Sequence, residues 1–187
     1  MSEHVVLVSP SGQAIGTCEK LRAHIEGRLH RAFSLMIARK TADSFEVLLQ
    51  KRASDKYHSG AKWSNTCCSH PRPGEDIRAA VQRRVDEELG VRETLNLVEL
   101  QSVVYRAELD NGLIENEFDH VFVCLLEDVL TQPNPHEVSN VDWVDIRTVS
   151  HLLTLAPEQF TAWFSSVHQE VCQYLLDFDN LNAKYAS

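Results

Sequence analysis

Two β-rich runs, "LVELQSVVYRAE" and "ENEFDHVFVCLLED", flank Asp110-Asn111-Gly112, and this feature leaves the chain least freedom. Asn-Gly supplies the positive φ angles of a tight reversal, so the runs are predicted to pair as an antiparallel hairpin. Residues two apart in a strand share a face, so Glu115 and Glu117 project together. A turn centred on Asn111 sets Tyr105 across from Glu117, where a phenol can hydrogen-bond a carboxylate; a one-residue slip would break that pair.

The rest of the chain is organised around this hairpin. "HVVLVSPSGQ" is predicted as a strand and turn, and "AFSLMIARK" and "FEVLLQKR" as a second hairpin across "TADS". From Glu75 to Leu89, apolar Ile77, Ala80, Val81, Val85 and Leu89 recur at helical spacing and Gly90 supplies the stop. "VSNVDWVDI" is a further strand, and residues 157–178, with Phe160, Trp163, Phe164, Val167, Val171, Leu175 and Leu176, suit an amphipathic C-terminal helix. Strands and helices alternate irregularly, which favours α+β with a mixed sheet over a doubly wound parallel fold. At 187 residues, one domain spanning 1–187 with a C-terminal helical segment is expected.

A formal net charge of -9 argues against a polyanionic partner, so neither nucleic acid nor an acidic membrane surface is expected. No apolar run approaches the roughly 20 residues that span a bilayer, and "MSEHVVLVSPSG" has no basic segment leading into an apolar stretch and cleavage site. The five cysteines are an odd number without a C-x-x-C pair, which fits reduced thiols in a cytoplasmic protein and gives a cysteine-rich structural zinc site little support. Monomer and homodimer are both compatible with the sequence.

Three stretches carry candidate chemistry. "KLRAHIEGRLHRAFS" holds His24 and His30 on the approach to a strand, "WSNTCCSHP" holds His70 beside Cys67 and Cys68, and "IENE" holds Glu115 and Glu117. Together they make a plausible site for a divalent transition metal, although singly each is as compatible with surface groups or a solvated strand face. In an extended stretch Cys67 and Cys68 point apart, so only one need enter a site, and spacing does not say which. A reactive thiol needs nearby cationic groups or a metal to favour thiolate, and His70, Arg52, Lys56 and Arg84 are candidates for that environment. Should Lys20, Arg52, Lys56 and Arg84 converge, they would suit a diphosphate; otherwise they are solvated surface.

"WSNTCCSHP", "HIEGRLHRAFS" and "YRAELDNGLIENE", together with "EDIRAAVQRRVDEELG", resemble the signatures of type I isopentenyl-diphosphate isomerases, a branch of the Nudix superfamily, over about residues 4–165. The resemblance implies a Nudix-like mixed β-sheet sandwiched between helices. Against the Nudix box G-x5-E-x7-R-E-U-x-E-E-x-G-U, aligned on Gly90 and Val91, the chain has Ser69 for the first Gly and keeps Glu75, Arg83, Val85, Glu87 and Glu88. Arg84 replaces the Glu of the R-E pair, which removes a potential Mg2+ ligand, adds a phosphate-binding group, and counts against diphosphate hydrolysis.

By the same resemblance, His24, His30, His70, Glu115 and Glu117 would be ligands of Mn2+ or Zn2+. Glu88 would meet a Mg2+ that bridges to the diphosphate, and no flavin is implied. Lys20, Arg52, Lys56, Arg84 and the Ser69 backbone correspond to substrate-binding positions, and Trp163 to an aromatic over the hydrocarbon pocket; on pattern alone Trp163 is a helix-face packing residue. The implied small-molecule substrate is an isoprenoid diphosphate, isopentenyl diphosphate in exchange with dimethylallyl diphosphate. Glu117, assisted by Tyr105, would protonate the terminal methylene, and Cys68 would remove a proton from C2. His58 departs from the tryptophan that many bacterial relatives carry. The competing readings are a Nudix hydrolase of nucleoside diphosphate derivatives and a non-catalytic metal-binding module, which would leave Cys68 and Tyr105 without work.

Overall fold

In the computed structural model, residues 3–109 and 111–185 are described, with side chains to residue 180; Asp110 of the expected turn lies outside the described residues. The strands are β1 (His4–Val8), β2 (Ala14–Glu19), β3 (His30–Lys40), β4 (Phe45–Arg52), β5 (Trp63–Ser64), β6 (Cys67–Ser69), β7 (Val98–Glu99), β8 (Val103–Glu108), β9 (Ile114–Leu125) and β10 (Val138–Asp145). The helices are α1 (Lys20–Glu26), α2 (Ile77–Leu89), α3 (Ile146–Leu155) and α4 (Phe164–Tyr185). All ten strands join one sheet, in which β3 and β9 run parallel and the other pairs antiparallel.

Strand alternation decides which layer each side chain enters. On β3, Phe33, Leu35 and Ile37 face α2 and pack with its Ala80, Val81, Val85 and Leu89. Met36 and Ala38, with Val121 and Val123 of β9, face Val149 of α3 and Phe164, Val167, Val171 and Leu175 of α4. Val81, Val85 and Leu89 are fully buried, which contributes roughly 1.5–3 kcal/mol each. Asp76 caps α2 through the Ala79 N–H, and Gly90 ends it at φ 67°; a Cβ there would meet Gln132 at 2.9 Å. The expected mixed sheet between helices is therefore present.

Three elements differ from the sequence reading. His24 sits on a seven-residue helix, α1, capped by Glu19 and stopped by Gly27 at φ 62°, rather than in a bare approach to β3. The helix expected over 157–178 begins at Phe164: Pro157–Gln159 form a single 3-10 turn, after which Phe160 extends and bridges Trp63. Backbone pairing with β5 outweighs the helical periodicity there, since Thr161 N–H donates to the Trp63 carbonyl (3.0 Å). Helix α3 follows "VSNVDWVDI" directly because Asp145 accepts from the Arg147 and Thr148 N–H groups.

Candidate active site

The face of β9 that packs on α4 is apolar at Val121 and Val123 and turns polar at Asp119, Glu117 and Glu115. His30 of β3 is the register partner of Glu117, and so is Tyr105 of β8 from the other side. Helix α1 lowers His24 onto the same end, and the chain leaving β6 brings His70. His70 Nε2 lies 2.8 Å from Glu117 Oε1 and 3.1 Å from His30 Nε2, and His30 Nε2 lies 3.4 Å from that carboxylate oxygen. Ligand atoms of His24, His30, His70 and Glu117 all fall within 4.8 Å of one another; Glu115 falls into an overlapping group with His24 and His58.

The tautomers make this cluster suited to a metal. His24 Nδ1–H donates to the Lys20 carbonyl (2.7 Å) and His30 Nδ1–H to that of Arg28 (2.8 Å), so both Nε2 atoms carry lone pairs turned inward. His24 Nε2 and His70 Nδ1 are buried without a hydrogen-bond partner. Burial lowers the pKa of His24, and that of His70 to about 4, which keeps both imidazoles neutral. Burial works to raise the Glu117 pKa, but the His30 and His70 imidazoles set against it more than offset this and hold the carboxyl well below its usual range. Glu115 goes the other way, raised by burial and by the charge on Glu117. The Tyr105 hydroxyl bridges the two carboxyl groups, at 2.7 Å from Glu115 Oε2.

Cys67 and Cys68 do point apart. Cys67 is fully buried in the α2 core, whereas Cys68 packs on the α4 side and lines the same cleft as Tyr105, Glu115, Glu117 and Trp163. Burial pushes the Cys68 thiol up to about 12, and Arg52 pulls against this without overcoming it, so the resting group is a neutral thiol. Trp163 Nε1–H donates to Asn65 Oδ1 (3.1 Å), and Asn65 Nδ2 donates to the Leu35 and Cys67 carbonyls. One buried amide thus fixes the indole against the strand that carries the thiol.

Lys20, Arg52, Lys56, Arg84 and Ser69 converge on this cleft, together with Glu88. Each cation already has a partner. Lys20 pairs with Glu3 (3.0 Å), Lys56 with Glu137, and Arg84 with Glu88, Glu87 (2.7 Å) and Glu137 (3.5 Å). Arg52 donates to the carbonyls of His58 and Ser59 and stacks over Trp163 at 5.6 Å. Gln50 holds the second side of Glu88 (3.1 Å). Arg83, next to Arg84, is turned away into a two-bond fork with Glu75. Glu137, Asn65, Gln50 and Tyr57 were not among the expected site residues; Asn65 alone lies inside a stretch with candidate chemistry, "WSNTCCSHP".

Comparison with known proteins adds a lineage to this geometry. The NUDIX domain family matches residues 28–164. The isopentenyl-diphosphate Delta-isomerase of Aliivibrio fischeri (strain MJ11) is 47% identical over 177 residues, covering 94% of this chain and 98% of that protein. The protein of the same name from Photobacterium profundum is 46% identical, covering 94% and 97%. Among solved structures, DR0079 from Deinococcus radiodurans superposes with a TM-score of 0.73 at 16% identity, covering 89% of this chain and 98% of its own, which speaks to fold alone.

Proposed function

This chain belongs to the type I isopentenyl-diphosphate Delta-isomerases of the Nudix superfamily, and we propose that it interconverts isopentenyl and dimethylallyl diphosphate by a 1,3 proton shift. The observation that carries the reading is a thiol, Cys68, and a carboxyl group, Glu117, lining one cleft with Trp163 in its wall and four cations gathered there.

An unactivated alkene is a poor base, so the acid must be held against it in a dry chamber. Glu117 gives its proton to the terminal methylene carbon, which leaves a tertiary cation at C3. Cys68 takes a proton from C2, and the C–H electrons become the new C2=C3 bond. The π face of Trp163 stabilises the passing positive charge by about 2 kcal/mol. The forward reaction starts from protonated Glu117 and ionised Cys68. Glu115, buried and neutral, supplies the proton through the bridging Tyr105 hydroxyl, while Cys68 gives its thiol proton to water in the open cleft and Arg52 favours the thiolate that remains. Lys20, Lys56 and Arg84 exchange their carboxylate partners for the diphosphate oxygens, and Ser69 offers its backbone N–H.

His24, His30, His70, Glu115 and Glu117 would hold Mn2+ or Zn2+, which orients and tunes the carboxyl group, and Glu88 would hold Mg2+ against the diphosphate. The residues form one catalytic domain working in the cytoplasm, where the five free thiols stay reduced.

The test is a paired assay. Incubated with isopentenyl diphosphate, Mg2+ and Mn2+, the purified protein should form dimethylallyl diphosphate without releasing phosphate. Phosphate release, or no product of either kind, defeats the proposal.

A further inference from the structure

His58 has no part in the chemistry above, yet its ring points at the cluster. Its Nδ1 lies 3.3 Å from Ser59 Oγ, which leaves Nε2 facing Glu115 Oε1 at 3.3 Å. Ligand atoms of His58, Glu115 and His24 all fall within 4.8 Å of one another, and the His24 and His58 rings stack with centroids 5.8 Å apart. Glu115 Oε2 is taken by Tyr105, so Oε1 is the oxygen turned to His58. His24 belongs both to this group and to the one with His30, His70 and Glu117, and no hydrogen bond uses its Nε2. Its Nδ1 is occupied by a carbonyl, so that single lone pair serves one ion at a time. Two donor groups that share it therefore describe two sides of one coordination sphere.

We infer that His58 is a metal ligand in this chain, the fourth imidazole of the centre built from His24, His30 and His70. The inference rests on reading that cluster as a metal site. The position is prepared from both sides: Arg52 grips the His58 and Ser59 carbonyls, Asn111 Nδ2 donates to the Tyr57 carbonyl (2.6 Å), and Ser59 and Ala61 hold left-handed backbone (φ 51° and 60°). Four imidazoles bias the centre toward Zn2+, Co2+ or Ni2+ over Mg2+ and Mn2+. Ligation also pins the segment that presents Lys56 and Tyr57 to the cleft, so metal loading orders part of the diphosphate grip.

Histidine-15N spectra of the Zn2+-loaded protein test this directly, because a zinc-bound ring nitrogen resonates apart from both N–H and free nitrogen. The wild type should show four zinc-bound Nε2 signals and His58→Asn three, with Zn2+ affinity against a competing chelator weaker by about tenfold or more. Three signals in both proteins overturn the assignment of His58 and leave the metal centre standing. No zinc-bound signal in the wild type overturns both. Should His58→Asn fail to fold, the wild-type count alone separates the outcomes: four signals support ligation by His58 and three refute it.

Discussion

At the scale of single residues, the proposed reaction makes Cys68 and Glu117 an acid–base pair. In that reaction removing either ends the exchange, because each is donor in one direction and acceptor in the other. Cys68→Ala and Glu117→Gln should each lower kcat for isomerisation by about a thousandfold or more, the upper part of the range for positioned acid–base groups. The fold should survive Cys68→Ala, since that thiol is half-buried at the cleft while Cys67 fills the core. Turnover by NMR and the melting temperature by circular dichroism check this together. Near-normal kcat in either variant would remove the mechanism. Arg84 makes a different contribution. It faces Glu88 and Glu137 in the resting cleft, where burial works to lower its pKa and the Glu88 carboxylate more than offsets that, and in the proposed reaction it would meet the diphosphate rather than the alkene. A hydrogen bond between charged groups contributes about 1.5–3 kcal/mol, so Arg84→Gln should raise KM by roughly tenfold to a hundredfold and change kcat far less. A loss confined to kcat would place Arg84 elsewhere in the reaction.

At the scale of elements, legibility followed the length and locality of the signal. Asn111-Gly112 fixed the β8–β9 register, and Tyr105 does pair with Glu117 because nothing between the turn and Val103 shifts the ladder. Helix α2 was readable since thirteen residues carry its period and Gly90 marks its end, while its start, expected at Glu75, falls at Ile77 behind the Asp76 cap. Helix α1, seven residues long, offers too few turns for periodicity to show, and α3 hides behind a strand whose last residue doubles as its cap. Ligand motifs were readable where residues lie close in sequence. Their supports were not: Trp163 and Asn65 are 98 residues apart, and Lys56 and Glu137 are 81. The packing of α3 on α4 shows the same limit. Ser150 Oγ, His168 Nε2 and Cys172 Sγ meet there at 2.8 and 3.2 Å, and burial lowers the His168 pKa to about 4. Between pH 6.5 and 4 the unfolded chain therefore binds a proton at this position that the folded chain refuses, so this contribution to stability falls as pH is lowered through that window. Urea unfolding of the wild type and His168→Gln should give stability curves that converge or cross between those values and run parallel above about pH 7. Curves parallel throughout would show that His168 titrates normally.

For the whole molecule, charge is distributed against its average. A chain of net charge -9 gathers Lys20, Arg52, Lys56 and Arg84 at one cleft and holds three of them with Glu3, Glu87, Glu88 and Glu137. Beneath them the sheet end carries the opposite problem, an ionised Glu117 and imidazole lone pairs directed at one another in a buried space. A bound cation would resolve that conflict, and it would bind only the folded chain, because β3, β9, α1 and the β6 exit must all be in place to assemble its donors. Stability and metal are then linked. An ion at a hundredfold excess over its Kd adds about 2.7 kcal/mol, which for a domain of this size corresponds to roughly 5–10 °C in Tm. Chelation should lower Tm by about that amount and stop isomerisation, and return of Mn2+ or Zn2+ should restore both. The same chelation applied to His24→Asn should shift Tm much less, because that variant has lost a donor common to both sides of the site. An equal shift in the two proteins would mean that the stabilising ion sits somewhere other than the histidine cluster.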